Sequence, residues 1–94
     1  MPTVHLLIKG KVQGVYYRAS AKEQADRLSL TGRIKNTPEG NVEITATGDA
    51  VQLETFITWC RQGPSKAFVT NVEVTPAPDT PFTGFNILRD NRFD

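Results

Sequence analysis

The chain has 94 residues, of which 38% are hydrophobic and 22% charged. That is the size of one domain (residues 1–94), and the composition excludes a disordered tail, a collagen-like repeat and a coiled coil. Eleven Lys and Arg against ten Asp and Glu leave a formal charge of +1, without the basic excess that nucleic-acid binders carry.

Other classes fall away residue by residue. The longest apolar stretch, Leu6-Leu7-Ile8, is far too short to span a membrane. The start, Met1 to His5, lacks the basic and apolar regions of a signal peptide. Cys60 is the one cysteine, so no internal disulfide can form, and the cytoplasm is the expected compartment. One His and one Cys give no zinc-ligand spacing. A Ser-His-Asp triad would have to use His5, which alternates with Val4 and Leu6 as an outward-facing strand residue would.

Val4 to Lys9 is apolar and β-branched, bounded by Gly10, and reads as a strand. Gly10 to Gly14 is a glycine-punctuated loop. Tyr17, Ala21, Ala25 and Leu28 then fall on one helical face, predicting a helix near Tyr17 to Leu30 that Gly32 ends. Arg33 to Asn36 begins a second strand, and Thr37 to Asn41 is a turn cluster. Val42, Ile44 and Ala46 alternate with Glu43, Thr45 and Thr47, a half-buried strand that should close a hairpin with the one before it.

Asp49 is a good helix N-cap, and Gln52 completes a pair resembling a capping box. Leu53, Phe56, Ile57 and Cys60 form the stripe of a second helix, near Ala50 to Gln62, which Gly63-Pro64 stops. Trp59 lies off that stripe, at the edge of the core or in a small exposed patch. Phe68 to Val74 is strand-like, with Phe68, Thr70, Val72 and Val74 on one face, and Pro76, Pro78 and Pro81 break the chain. Phe85 and Ile87 can supply a short last strand. This order predicts an α+β, ferredoxin-like split βαβ fold: an antiparallel sheet of four or five strands with two helices on one face.

Two places could carry chemistry. In the loop Gly10-Lys-Val-Gln-Gly14-Val-Tyr-Tyr-Arg18, a strand ends, a glycine lets the backbone curl, and a helix begins. Exposed N–H groups and the helix dipole there suit an anion, and Arg18 adds a fork matched to phosphate oxygens. The plain alternative is an ordinary turn followed by a solvated Arg. Asn36 shares the strand face of Ile34, where an apolar residue is expected; it either starts the turn before Pro38 or holds a water or substrate oxygen. Cys60 and Lys66 have the spacing of a cysteine-phosphatase loop, but Cys60 sits on an apolar helical face, where its pKa rises and core packing explains it.

These residues resemble the acylphosphatase family. Gly10-Lys-Val-Gln-Gly-Val-Tyr-Tyr-Arg18 is similar to the family signature G-x-V-Q-G-V-x-x-R, with Tyr16-Tyr17 where Phe is frequent. Gly32-Arg-Ile-Lys-Asn36, with Thr-Pro-Glu-Gly40-Asn-Val42-Glu43 after it, is similar to the second signature. Gly63-Pro64, Ala67 and Val69 fit a later segment, so the likeness runs from residue 4 to 88, and Arg89 to Asp94 match nothing.

The resemblance implies hydrolysis of acyl phosphates to carboxylate and inorganic phosphate. Arg18 and Asn36 are the implied catalytic residues. Gln13, Gly14, Val15, Tyr16, Tyr17 and Arg18 are implied to hold the phosphate, with the amides of Val15 to Arg18 acting beside the Arg18 side chain, while Asn36 orients the attacking water. No metal, cofactor or phosphoenzyme is implied. The expected partners are a small acyl phosphate and phosphate or other anions, with no nucleic acid or membrane, and a monomer is expected. Two rival readings exist. One is an accessory module, as in larger carbamoyl-transferring proteins, against which the end of the chain at Asp94 speaks for a free enzyme. The other is an RNA binder, which would need aromatics that the first strand lacks.

Overall fold

The computed structural model describes residues 1–88. The expected lack of any family match in the tail from Arg89 lies outside them. The elements are β1 (Thr3–Lys11), α1 (Tyr17–Arg27), β2 (Thr31–Asn36), β3 (Val42–Thr47), α2 (Ala50–Gln62), β4 (Phe68–Ala77) and β5 (Phe85–Ile87). They form one sheet in the order β4-β1-β3-β2-β5.

Strand alternation divides the sheet into two faces. Leu6, Ile8, Ile34, Val42, Ile44 and Ala46 point to one side and are fully buried. There they meet Tyr17, Ala21 and Ala25 of α1 and Leu53, Phe56 and Cys60 of α2 in a single core. The other face is polar, with His5 Nε2 3.1 Å from Glu43 Oε2, Lys35 Nζ 3.4 Å from Glu43 Oε1, and Lys9 Nζ 3.0 Å from Glu73 Oε2. Both helices therefore cover one face, as the two apolar stripes imply. Trp59 is an edge-of-core residue, its ring 5.5 Å from Tyr17 and 6.4 Å from Phe56.

The structure departs from the sequence reading at several places. The sheet is mixed: β5 pairs parallel with β2, while the other pairings are antiparallel. Helix α1 ends at Arg27, short of Leu30. Ser29 takes the left-handed conformation (φ 58°), with its N–H on Asp26 O and the Leu30 N–H on Ala25 O, which closes the helix as a Schellman turn. Gly32, expected to end that helix, lies inside β2 instead, where a Cβ would fall 2.0 Å from the Thr45 carbonyl oxygen. Asp49 stands at the N-cap of α2 without a side-chain capping bond.

A further departure is in β4. Its register with β1 shifts between Lys9 and Gly10, and the extra residue reverses which side chains face the helices. Val72 stays buried, while Phe68 is turned out to 69% exposure and Val69 packs against the core. Pro76, expected to break the chain, is accommodated within β4 because β4 is an edge strand.

Candidate active site

β1 and β2 both run antiparallel to the β3 between them, and β5 runs parallel to β2. All three therefore deliver their C-terminal ends to the same end of the sheet. At that end lies a cavity of about 440 Å³ lined by Val12, Gly14, Tyr16, Tyr17, Arg18, Ala19, Asn36 and Ile87. The loop after β1, the last residue of β2 and the last residue of β5 each supply part of its wall.

The loop enters α1 through two successive devices. Gly14 adopts φ 74°, in the left-handed region that glycine enters without cost. Tyr16, the N-cap residue, is also left-handed (φ 64°, ψ 23°), an uncommon conformation for a bulky residue. Strain of this kind costs roughly 1–3 kcal/mol and persists where the surroundings impose it. The Tyr16 side chain makes no capping bond, and the first turn of α1 holds no acidic residue. The helix start thus presents its N–H groups and positive dipole end to the cavity.

Neighbouring groups hold the loop in place. Tyr17 is buried, and its hydroxyl donates to the Cys60 carbonyl at 2.7 Å, tying the start of α1 to the end of α2. Burial pushes the Tyr17 phenol far above its ordinary value, with Cys60 adding to the effect, so it stays a neutral donor. Burial also pushes the Cys60 thiol up to about 12, consistent with a packing role rather than a nucleophile. Gln13 Nε2 donates to the carbonyls of Thr37 (2.9 Å) and Asn41 (2.8 Å), which fastens the loop to the β2–β3 turn.

Arg18 is half-buried and is the one charged residue in the cavity wall among the described residues. Its Nη1 donates to the Leu88 carbonyl at 3.3 Å. Leu88 is fixed in turn, its N–H donating to Ile34 O of β2 at 2.8 Å. Asn36 Oδ1 is buried and has no hydrogen-bond partner among the described residues. The bonds that shape the following turn come instead from Thr37, Gly40 and Asn41. A buried acceptor left open at a cavity wall is unusual in a folded protein and marks a place for a ligand or water to donate.

Of the residues singled out in the sequence, the cavity brings together Gly14, Tyr16, Tyr17, Arg18 and Asn36. Gln13 and Val15 stand outside its wall: Gln13 spends its amide on the turn, and Val15 is buried in the core. Val12 belongs to the candidate loop but not to the implied phosphate ligands, and sequence reasoning missed Ala19 and Ile87. Ala19 directly follows Arg18 and could have been included with it, whereas Ile87 reaches the cavity only because β5 runs parallel to β2.

A family model described as Acylphosphatase matches residues 4–87. An acylphosphatase of Methylococcus capsulatus is 48% identical over 91 residues, 96% of this chain and 99% of that protein. One from Marinobacter nauticus is 50% identical over 82 residues, covering 86% of this chain and 89% of the relative. Among solved structures, the acylphosphatase of Bacillus subtilis superimposes with a TM-score of 0.90 at 31% identity, over 94% of this chain and 99% of that one. With its whole βαββαβ frame matched, and with relatives aligned over nearly their full length, the chain belongs to the acylphosphatase family.

Proposed function

We propose that this protein hydrolyses the carboxyl–phosphate bond of acyl phosphates, with Arg18 and the loop amides holding the phosphoryl group and Asn36 orienting the attacking water. The observation that carries the reading is the shared cavity: an uncapped helix start, a fixed guanidinium and an amide with an open acceptor line one space.

The chemistry asks for little more. Phosphoryl transfer depends mainly on positioning and on stabilising charge over the equatorial oxygens. Convergent N–H groups and Arg18 meet the phosphoryl oxygens. Asn36 can accept from one water proton and so point the water oxygen at phosphorus, opposite the acyl oxygen. The P–O bond to the acyl group breaks, and the leaving group departs as a carboxylate, which needs no general acid. The water's proton passes to a phosphate oxygen, so no side-chain base is required. Water attacks directly, without a phosphoenzyme.

One copy of the chain carries every group in this scheme, so we assign the activity to a monomer. Among the described residues no helix is long and apolar enough to cross a membrane, and the unpaired, buried Cys60 suits the cytoplasm. Phosphate release from benzoyl phosphate, with and without EDTA, tests the reading. Release that survives the chelator supports it; absence of hydrolysis, or hydrolysis lost on chelation, overturns it.

A further inference from the structure

We propose that the Tyr16 ring selects the acyl group, forming a wall on which a flat aromatic acyl group stacks, so that the protein favours aroyl phosphates over short aliphatic ones. The inference rests on the acylphosphatase reading and deepens it from the phosphate to the rest of the substrate.

Tyr16 is 76% exposed, although the next residue, Tyr17, is buried to 1%. The left-handed backbone at Tyr16 separates them: Tyr16 stays exposed at the cavity wall while Tyr17 turns into the core. That conformation suits Gly, Asn or Asp, not a bulky aromatic. The ring does not repay its place by capping the helix. Nor does it join the aromatic contacts of the core, which among the described residues involve Tyr17, Phe56, Trp59 and Phe85. Tyr16 is thus an exposed lining residue with no aromatic partner among the described residues.

The substrate's connectivity then decides what meets it. With the phosphoryl group on the loop amides and Arg18, the acyl group hangs from a single bridging oxygen and must occupy the remaining cavity. At about 440 Å³ the space lies within the roughly 300–1,000 Å³ of small-molecule sites and exceeds what a phosphate fills. Its apolar lining includes Val12, which is fully buried beneath the loop, and Ile87, which is half-buried. Among the described residues Tyr16 is the one large, exposed aromatic residue in that wall. Aromatic stacking selects modestly and tolerates varied rings.

The test compares kcat/KM for benzoyl phosphate and acetyl phosphate in the wild type, Tyr16→Asn and Tyr16→Phe. Asn accepts the left-handed backbone and lacks the ring; Phe keeps the ring and lacks the hydroxyl. The readout is the benzoyl-to-acetyl ratio of each variant relative to wild type, in which intrinsic leaving-group reactivity cancels. The ratio should fall about three- to tenfold in Tyr16→Asn, mainly through KM for benzoyl phosphate, and hold in Tyr16→Phe. An unchanged ratio in Tyr16→Asn, even with both rates reduced together, would overturn the inference and make Tyr16 a loop-shaping residue. An equal fall in Tyr16→Phe would overturn it in favour of the hydroxyl. A wild type inert towards both compounds would overturn the acylphosphatase reading itself, and this inference with it.

Discussion

The Gln13 side chain donates a 2.8 Å hydrogen bond to the carbonyl of Asn41, across 28 residues of sequence. A second bond, of 2.9 Å, reaches Thr37 O at the other side of the same turn. One neutral amide thereby fastens the loop before Arg18 to the turn after Asn36, and the two proposed catalytic residues are held in register by a group that touches neither.

Gln13→Leu should test that fastening. Thr37 O and Asn41 O each keep one backbone donor within the turn, so the stability loss should be limited to about 1 kcal/mol. Activity should suffer more than stability, with turnover on benzoyl phosphate falling by about tenfold as the loop loses its alignment. Urea denaturation and turnover, measured on one preparation, would show whether the two losses separate in this way.

Arg18→Ala removes the one charged group of the cavity wall among the described residues. Catalytic efficiency should fall by at least about a hundredfold, the scale of losing a main electrostatic anchor. Inhibition by inorganic phosphate should weaken in parallel, while far-UV circular dichroism stays that of the wild type. Near-normal efficiency in a folded Arg18→Ala protein would remove this residue from the mechanism.

Asn36→Ser and Asn36→Ala separate chemistry from turn formation. The turn's own bonds do not use the Asn36 side chain, so both variants should fold with nearly unchanged melting temperature. Turnover should drop by at least about a hundredfold if the amide positions the water. The phosphate inhibition constant should move little, because Arg18 and the loop amides remain. Unchanged turnover would leave Asn36 without a role in the reaction.

Glu43 should govern part of the acid response. Its burial alone would raise the carboxyl, but hydrogen bonds from His5 and Lys35, reinforced by their charges, more than offset that and hold it below the usual carboxylate range. A depressed carboxyl stabilises the fold above its unfolded pKa, and that contribution is lost as the pH falls through the folded value. Glu43→Gln should therefore be less stable than wild type near neutrality, by about 1 kcal/mol or less for so exposed a cluster. The gap should close between about pH 5 and pH 3. Urea midpoints across that range would check it, and a gap independent of pH would rule the cluster out.

The parts legible in the sequence were those encoded locally. The helical stripes Tyr17-Ala21-Ala25 and Leu53-Phe56-Cys60, the β2–β3 hairpin and the glycine loop all followed from periodicity or turn chemistry within a few residues. What escaped depended on distant partners. Phe68 was assigned to the wrong face because the shift at Lys9 and Gly10 belongs to the pairing of β4 with β1, not to either strand alone. The direction of β5 could not be read from three residues. That the Gln13 side chain bonds the carbonyls of Thr37 and Asn41 could not be read from the sequence, because main-chain carbonyls in another element leave no residue-type signal.

Residues 78–84 join the end of β4 to the start of β5, and these strands are opposite edges of the sheet. Four strand spacings place the edges roughly 19 Å apart, and eight Cα steps reach at most about 29 Å. On the way the connection is pinned at three points: Thr47 Oγ1 donates to Thr80 O at 3.4 Å, the Arg33 guanidinium lies 5.7 Å from the centre of the Phe82 ring, and the Gly32 N–H donates to Gly84 O at 2.9 Å. The strap thus ties the two edge strands together across β1, β3 and β2 with little length to spare. Because β5 brings Ile87 to the cavity and sets the Leu88 carbonyl against Arg18, the cavity wall is complete only when β5 is seated on β2. A ligand that binds at this wall, and not to the unfolded chain, would therefore stabilise the seating of β5 along with the rest of the fold.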